Sequence, residues 1–386
     1  MSGKKQKIKL KNILITGGAG FIGSRLALKL ISEGYSVTVL DNLSPQIHGQ
    51  NPVQQSPLYH AISGKVNFIK GDVCSRSDVE EAIRNQDAIV HLAAETGTGQ
   101  SMYQIEQYNH VNVSGTALIL DVLVNQPHSI KKIVLASSRA VYGEGKYLDE
   151  NNDAVYPSGR NLGLMQQRIY EMQDDYGRML IPCATNETAR LQPASYYGLT
   201  KLQQEEMVKL ICPFIHIPYV ILRYQNVYGA GQSLRNPYTG ILSVFSTQIL
   251  NNQPINVFED GKPSRDFIEV GDVVEATFRS LKAEAALNET INVGTGIATE
   301  ILHVARMLRE KLMRTAEISI SGDFRIGDIR HNFADITKMK EILNFEPKVT
   351  FEHGISDFAA WVLSQPLHQN KFQASLDELR NKGFLK

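Results

Sequence analysis

Short apolar runs alternate with amphipathic stretches through the first 224 residues. NILIT (12–16), SVTVLD (36–41), VNFIKGDV (66–73), AIVHLAA (88–94), KIVLASS (132–138) and YVILRY (219–224) are too short and too continuously apolar for helices. They read as buried strands. Between them, FIGSRLALKLISEG (21–34), SDVEEAIRN (77–85), YNHVNVSGTALILDVLV (108–124) and YGLTKLQQEEMVKLI (197–211) carry apolar residues at helical spacing. Strand-helix-strand alternation predicts a parallel sheet with helices on both faces, and right-handed crossovers make it a doubly wound α/β fold of the Rossmann kind.

Two stretches interrupt the alternation. Residues 44–64 are rich in Pro, Gln, Ser and Gly and predict a long loop. Residues 144–194 are too long for an ordinary turn and predict an insertion with structure of its own, in which 164–180 could be a helix. After residue 224 the texture changes to turn-rich segments and short elements, which predicts a smaller C-terminal α/β substrate lobe. The expected division is 1–224 with about 264–290 as the Rossmann domain, and about 225–263 with 291–386 as the substrate-binding lobe.

Bulk composition narrows the partners. Lys plus Arg and Asp plus Glu are 40 each in 386 residues, so nothing in the charge points to nucleic acid or an acidic membrane. The basic opening KKQKIKLKN has no apolar segment behind it and reads as a solvated leader. No run is long enough to span a membrane. Cys74, Cys183 and Cys212 have no CxxC spacing and fit a reducing, cytoplasmic compartment. No ligand cluster with metal spacing occurs.

The chemistry begins at TGGAGFIG, which puts Gly17, Gly20, Phe21, Ile22 and Gly23 between the first strand and helix. Such glycines permit a sharp turn, close approach of a diphosphate and close helix-strand packing, with the diphosphate on the helix N-terminus. The second strand ends at Asp41, eighteen residues after Gly23. A carboxylate there accepts hydrogen bonds from an adenosine ribose and repels a 2′-phosphate. No Arg or Lys between Asn42 and Gly64 reverses that, so NAD is expected over NADP. Asp72 and Val73, ending the third strand, are expected beside the adenine.

Ser137 and Ser138 end the fifth strand, where open α/β sheets bind ligands. Tyr197 and Lys201 lie four apart on a predicted helix and share a face. A phenol is a poor base at neutral pH. A lysine cation one turn away, with the positive nicotinamide, stabilises its phenolate, which can then take a proton from a sugar hydroxyl as hydride leaves the same carbon. A second YxxxK, Tyr142 to Lys146, is broken by Gly143 and Gly145 and reads as a coincidence.

Together these motifs resemble the extended short-chain dehydrogenase/reductase superfamily, specifically its nucleotide-sugar epimerases and dehydratases. TGGAGFIG, LDN, GDV, HLAAETG, VNVSGT, SSRAVYG, YYGLTK, LRYQNVYG, RDFIEVGDVV and RIGD follow in the family's order across about residues 12–350. The resemblance implies that Asn42, Leu92, Ala93, Ala94, Ser137 and Tyr224 line the cofactor, and that Asn112 holds the second helix near it. It implies Thr96, Ser138, Asn226, Arg265 and Arg325 on the substrate side, the last three at the diphosphate. An arginine fork suits phosphate oxygens. Arg139 either reaches the substrate or faces solvent. The resemblance also implies a homodimer, here through about 101–125 and 196–212.

The family's 4,6-dehydratases carry an Asp-Glu pair directly after the strand-end hydroxyl, to remove a C5 proton and expel the C6 hydroxyl. Here Arg139 and Ala140 occupy those positions, and neither replaces an acid. Decarboxylating relatives use a glutamate at the second position and are disfavoured too. A 4-epimerase needs no elimination: a 4-keto sugar turns in the pocket and takes hydride back on its other face. LDNLSPQIHG, AAETGTGQSMY, SSRAVYGEG and GQSLRNPYTGIL are most similar to the dTDP-L-rhamnose 4-epimerase branch, which interconverts dTDP-L-rhamnose and dTDP-6-deoxy-L-talose. A UDP-hexose 4-epimerase is the nearest alternative. A 4-reductase consuming external NADH, and a non-catalytic NAD-sensing protein, are further from the motifs.

Overall fold

Seven strands pair side by side, all parallel, in the order β3-β2-β1-β4-β5-β6-β7; six are the apolar runs, and the seventh, ETINV, was not read from the sequence. The strands are β1 (Asn12–Thr16), β2 (Ser36–Asp41), β3 (Asn67–Lys70), β4 (Ala88–His91), β5 (Lys132–Ser138), β6 (Tyr219–Tyr224) and β7 (Glu289–Val293). The computed structural model describes residues 9–236, 238, 240–367 and 372–386. Most of the basic opening, and Pro237 and Thr239 of the turn-rich stretch, lie outside the described residues.

Period-2 alternation divides each strand between two cores. Ile13 and Ile15 of β1, Val134 of β5 and Leu222 of β6 face one core, which α1 (Phe21–Ser32) and α5 (Val270–Lys282) close with Leu26, Leu30 and Val273. Leu14, Leu135 and Ile221 face the other, closed by α2 (Arg76–Ile83), α3 (Gly115–Asn125) and α4 (Tyr196–Phe214) with Val79, Leu123 and Val208. Because the sheet is covered on both faces, the buried middles of its strands are mostly apolar.

The smaller lobe has its own core, in which Phe245, Val257, Leu308, Phe351, Phe358 and Leu376 are buried. The chain passes between the lobes more often than the sequence suggests. β7 extends past residue 290 into the segment assigned to the smaller lobe. Met339, Leu343 and Phe345 likewise pack on the sheet's α1 side.

Two expectations need correction. Residues 44–64 are not a plain loop: Pro45–His48, Pro52–Gln55 and Pro57–Ile62 are short helices. Each begins with a proline, whose fixed φ suits the first helical position. In the insertion, only Leu162–Gln166 is helical, capped by Asn161. Beyond it Asp174 accepts from the Tyr176 and Arg178 amides, both at 2.9 Å, which forces a turn. Leu180 then pairs back with Met172. Tyr147–Leu148, Ala154–Val155 and Ile181–Pro182 form a small antiparallel sheet.

Candidate active site

The C-terminal ends of the strands open into a cleft of about 460 Å³ between the lobes. Its floor is the glycine-rich turn. Gly17 leaves β1 at φ 68°, and a Cβ on Gly23 would lie 2.4 Å from the Gly17 carbonyl oxygen. The turn can close only without that side chain. Gly20 precedes α1, and no side chain caps the helix, so its first N–H groups and its dipole face the cleft. A Cβ on Gly20 would meet only the Gly17 oxygen, at 3.2 Å, so the turn leaves a cradle with room for a diphosphate.

At one end of the cleft the Asp41 carboxylate accepts the Ala19 amide at 2.9 Å and the Leu43 amide at 2.8 Å. Burial pushes its pKa up, against those amides and nearby His48. Asn42 donates to Asp72 at 3.0 Å, fixing the two strand ends to each other. His48 was not singled out by sequence, because the segment holding it read as loop. It is buried, with Nδ1 2.7 Å from Ser56 Oγ and Nε2 3.9 Å from Asp41. Burial holds its pKa below the usual histidine value.

At the other end β5 delivers Ser138, whose Oγ accepts the Ala140 amide at 3.1 Å as the chain turns. The helix α4 starts beside it, capped by Ser195, and the Tyr197 amide donates to Ser101 Oγ at 2.9 Å. Gly198 makes this approach possible: a Cβ there would sit 2.4 Å from the Ala140 oxygen. Burial raises the Tyr197 pKa, while the Ser138 hydroxyl and the Arg139 charge pull it down. Lys201 Nζ donates to the Ala136 oxygen at 2.9 Å, and burial lowers its pKa to about 7.

The cleft wall includes Gly17, Gly20, Phe21, Ile22, Gly23, Asp41, Asn42, Asp72, Val73, Leu92, Ala93, Ala94, Thr96, Ser137, Ser138, Arg139, Tyr197, Lys201, Tyr224 and Asn226. Ser137 turns its hydroxyl onto Glu205, which also receives the Arg223 fork at 2.9 and 2.7 Å. Glu205 is fully buried and was missed by sequence, being one of several polar residues on an amphipathic helix.

Asn112, Arg265 and Arg325 are not among the wall residues. Asn112 is buried, bridging the Glu95 backbone to Thr200 at 2.9 Å, so it holds α4 in place beside the cleft, the helix-holding role expected of it. Arg265 spends its fork on Ser264, Ile329 and Arg330 carbonyls and on Asp328. Arg325 lies over the rings of Phe258 and Phe372. Tyr142 and Lys146 do not share a helix, and the Tyr142 hydroxyl is buried against Asn292 and Arg223.

Known proteins share this architecture. The profile of the NAD dependent epimerase/dehydratase family matches residues 13–294. The chain belongs to that family. Its members' cofactor, NAD, is also its own, and the glycine cradle and Asp41 fit it. A dTDP-L-rhamnose 4-epimerase of Burkholderia thailandensis is 36% identical over 357 residues, 92% of this chain and 96% of the relative. A putative UDP-glucose 4-epimerase of Methanocaldococcus jannaschii is 32% identical, over 91% of this chain and 98% of its own length. The UDP-glucuronic acid 4-epimerase of Bacillus cereus, solved with UDP-glucuronic acid and NAD, superposes with a TM-score of 0.74 at 25% identity, covering 92% of this chain and 99% of that one. This epimerase-family chain has no helix among its described residues long and apolar enough to cross a membrane.

The turn supplies a direct check. Gly23→Ala is expected to give protein that purifies without NAD, since the Gly17 oxygen and the Gly18 Cα, 2.7 Å from the added carbon, are backbone and cannot move aside. Nucleotide released on denaturation measures it; a full complement of NAD would contradict the cradle.

Proposed function

We propose that this protein is a nucleotide-sugar 4-epimerase, and that its substrates are dTDP-L-rhamnose and dTDP-6-deoxy-L-talose. The observation that carries the epimerase reading is the pairing of Ser138 and Tyr197 in a cleft whose next two wall residues are Arg139 and Ala140. The acids lining the cleft are Asp41 and Asp72, beside the glycine turn, and Glu95, which receives Gln107 at 3.2 Å. None follows Ser138, where an elimination would need its acid and base.

Bound NAD supplies hydride acceptance and return at the sugar carbon. Tyr197 takes the proton of the 4-hydroxyl and returns it after the keto sugar has turned. Ser138 keeps that hydroxyl within reach of the phenol in both orientations. Lys201 and Ala136 fix the wall behind the phenol.

The dTDP-L-rhamnose assignment rests on the similarity to the Burkholderia relative; the Methanocaldococcus relative favours UDP-hexoses as the second reading. Incubation with dTDP-L-rhamnose, UDP-glucose, UDP-N-acetylglucosamine and dTDP-glucose, followed by chromatography, separates them. Formation of dTDP-6-deoxy-L-talose is the expected result. A 4-keto-6-deoxy product from dTDP-glucose would overturn the epimerase reading.

The same reading includes a homodimer through α3 and α4. Val124, Leu210 and Phe214 stand on these helices with exposures of 45%, 73% and 76%, too apolar a set to leave to water. Leu210→Glu with Phe214→Glu is expected to halve the mass seen by light scattering. An unchanged mass places the contact elsewhere.

A further inference from the structure

The last helix, Phe372–Asn381, lies beyond the residues that the family profile matches. Phe372, Leu376 and Leu379 seat it in the core of the smaller lobe. From the same helix Glu378 accepts two phenol hydroxyls on one carboxylate oxygen, Tyr103 at 2.9 Å and Tyr238 at 3.0 Å. Neither tyrosine lines the cleft, but their neighbours do: Thr96 and Thr98 precede Tyr103, and Ser233 and Gly240 flank Tyr238. One side chain thus ties two stretches of cleft wall to each other and to the end of the chain.

The stretch around Tyr103 is a junction. Ser101 Oγ holds the Tyr197 amide at 2.9 Å. Gln100 exchanges side-chain hydrogen bonds with Gln46, another wall residue, at 3.2 and 3.3 Å. A Cβ on Gly99 would lie 3.7 Å from Leu379, and Lys382 stands 5.1 Å over the Tyr103 ring. Past the helix, Lys386 exchanges backbone hydrogen bonds with Phe324 at 2.9 and 3.0 Å. From there the chain runs to Gly327, where a Cβ would lie 3.4 Å from Met102. The stretch itself is a single helical turn, Thr98–Ser101, which has little stability of its own, so its position depends on such ties.

We propose that Glu378 is a positioning residue: it sets how far apart these two stretches of wall stand, and with that the fit of the sugar nucleotide. A shared acceptor couples the two loops, because neither phenol can withdraw without losing a hydrogen bond to a charged oxygen. The glycine turn and Asp41, which serve the cofactor, lie outside the tie. The effect on substrate rests on the nucleotide-sugar reading above; the tie itself does not.

Hydrogen exchange on the full-length, NAD-loaded enzyme tests the tie without any substrate. Glu378→Ala is expected to speed amide exchange about tenfold in both peptides that carry Tyr103 and Tyr238, the scale of one charge-assisted hydrogen bond. Glu378→Gln, whose amide oxygen still accepts, is expected to recover part of the protection. Steady-state kinetics with the active sugar nucleotide then tests the consequence. Glu378→Ala is expected to raise KM about tenfold with kcat little changed, because a loosened wall weakens ground state and transition state alike. Wild-type exchange in either peptide overturns the assignment, and so does a wild-type KM. If Glu378→Ala fails to retain NAD, Tyr238→Phe is read instead, and wild-type exchange around residue 238 or a wild-type KM in that variant overturns it. Wild-type enzyme that converts no sugar nucleotide overturns the nucleotide-sugar reading, and exchange alone then decides the tie.

Discussion

Tyr197→Phe is expected to lower turnover about 10³-fold, the range of a positioned general acid-base, and to leave the protein folded and loaded with NAD. The substitution removes only the hydroxyl. The backbone at 197 is held independently, by the Ser101 hydroxyl at 2.9 Å and by the Ser195 cap, which accepts the Gly198 amide at 3.2 Å. The ring therefore stays against the cleft wall, and the loss reports chemistry. Single-turnover kinetics with the active sugar nucleotide measures it, with thermal melting as the control. Turnover within tenfold of wild type would remove Tyr197 from the mechanism. The acid limb carries further information. Burial raises the phenol and the Arg139 charge lowers it, so Arg139→Gln should move the onset of activity to higher pH.

The largest stability effect is expected at Arg330. Its guanidinium is fully buried and meets Glu259 at 2.8 Å, Asp260 at 2.7 Å and Glu171. Glu259 also binds Arg160 of the insertion, and Glu171 binds His331 at 3.0 Å. Arg330→Met leaves several carboxylates facing one another without their central cation. Breaking a buried pair this way costs about 3–5 kcal/mol, seen as a lower urea midpoint with unchanged slope. The pH dependence provides a second reading. Burial pushes Glu171 up, but hydrogen bonds from His331 and Arg330 outweigh it and hold its pKa at about 2, below the ordinary 4.5. A carboxylate depressed in the folded state contributes stability above its unfolded pKa. That contribution is lost as pH falls from about 4.5 through about 2. The wild type should therefore weaken over that window more steeply than Arg330→Met. Parallel curves would show that the network does not depend on this arginine.

What the chain reveals before folding is uneven, for physical reasons. Six of the seven strands were readable because a sheet covered on both faces favours apolar runs; β7, ETINV, has three polar residues in five and was missed. The glycine turn and the Tyr197–Lys201 pair were readable because short-range geometry forces their spacing. Arg139 was not: whether a side chain after a strand end faces ligand or solvent depends on Asn226, 87 residues later. Arg265 fits the phosphate role by residue type, yet its fork meets Asp328, 63 residues on, and backbone oxygens, contacts no local pattern announces. The prolines of 44–64 read as breakers because a helix-starting proline and a turn proline are the same residue in different company. The insertion misled in the opposite way, its apolar residues suggesting a helix until Asp174 supplied a turn.

The repeated passage of the chain between the lobes carries a consequence of its own. The smaller lobe is reached from β6, left for α5 and β7, rejoined, left again for the helix Thr337–Leu343, and rejoined a last time. No single cut separates the two cores, and neither can be expressed as a continuous piece. Heat should therefore melt the protein in one calorimetric transition. In evolutionary terms, the pocket's substrate-facing half cannot be exchanged as a cassette; specificity must drift by point substitution on a shared frame, and a position such as Arg139 is where that drift would be recorded.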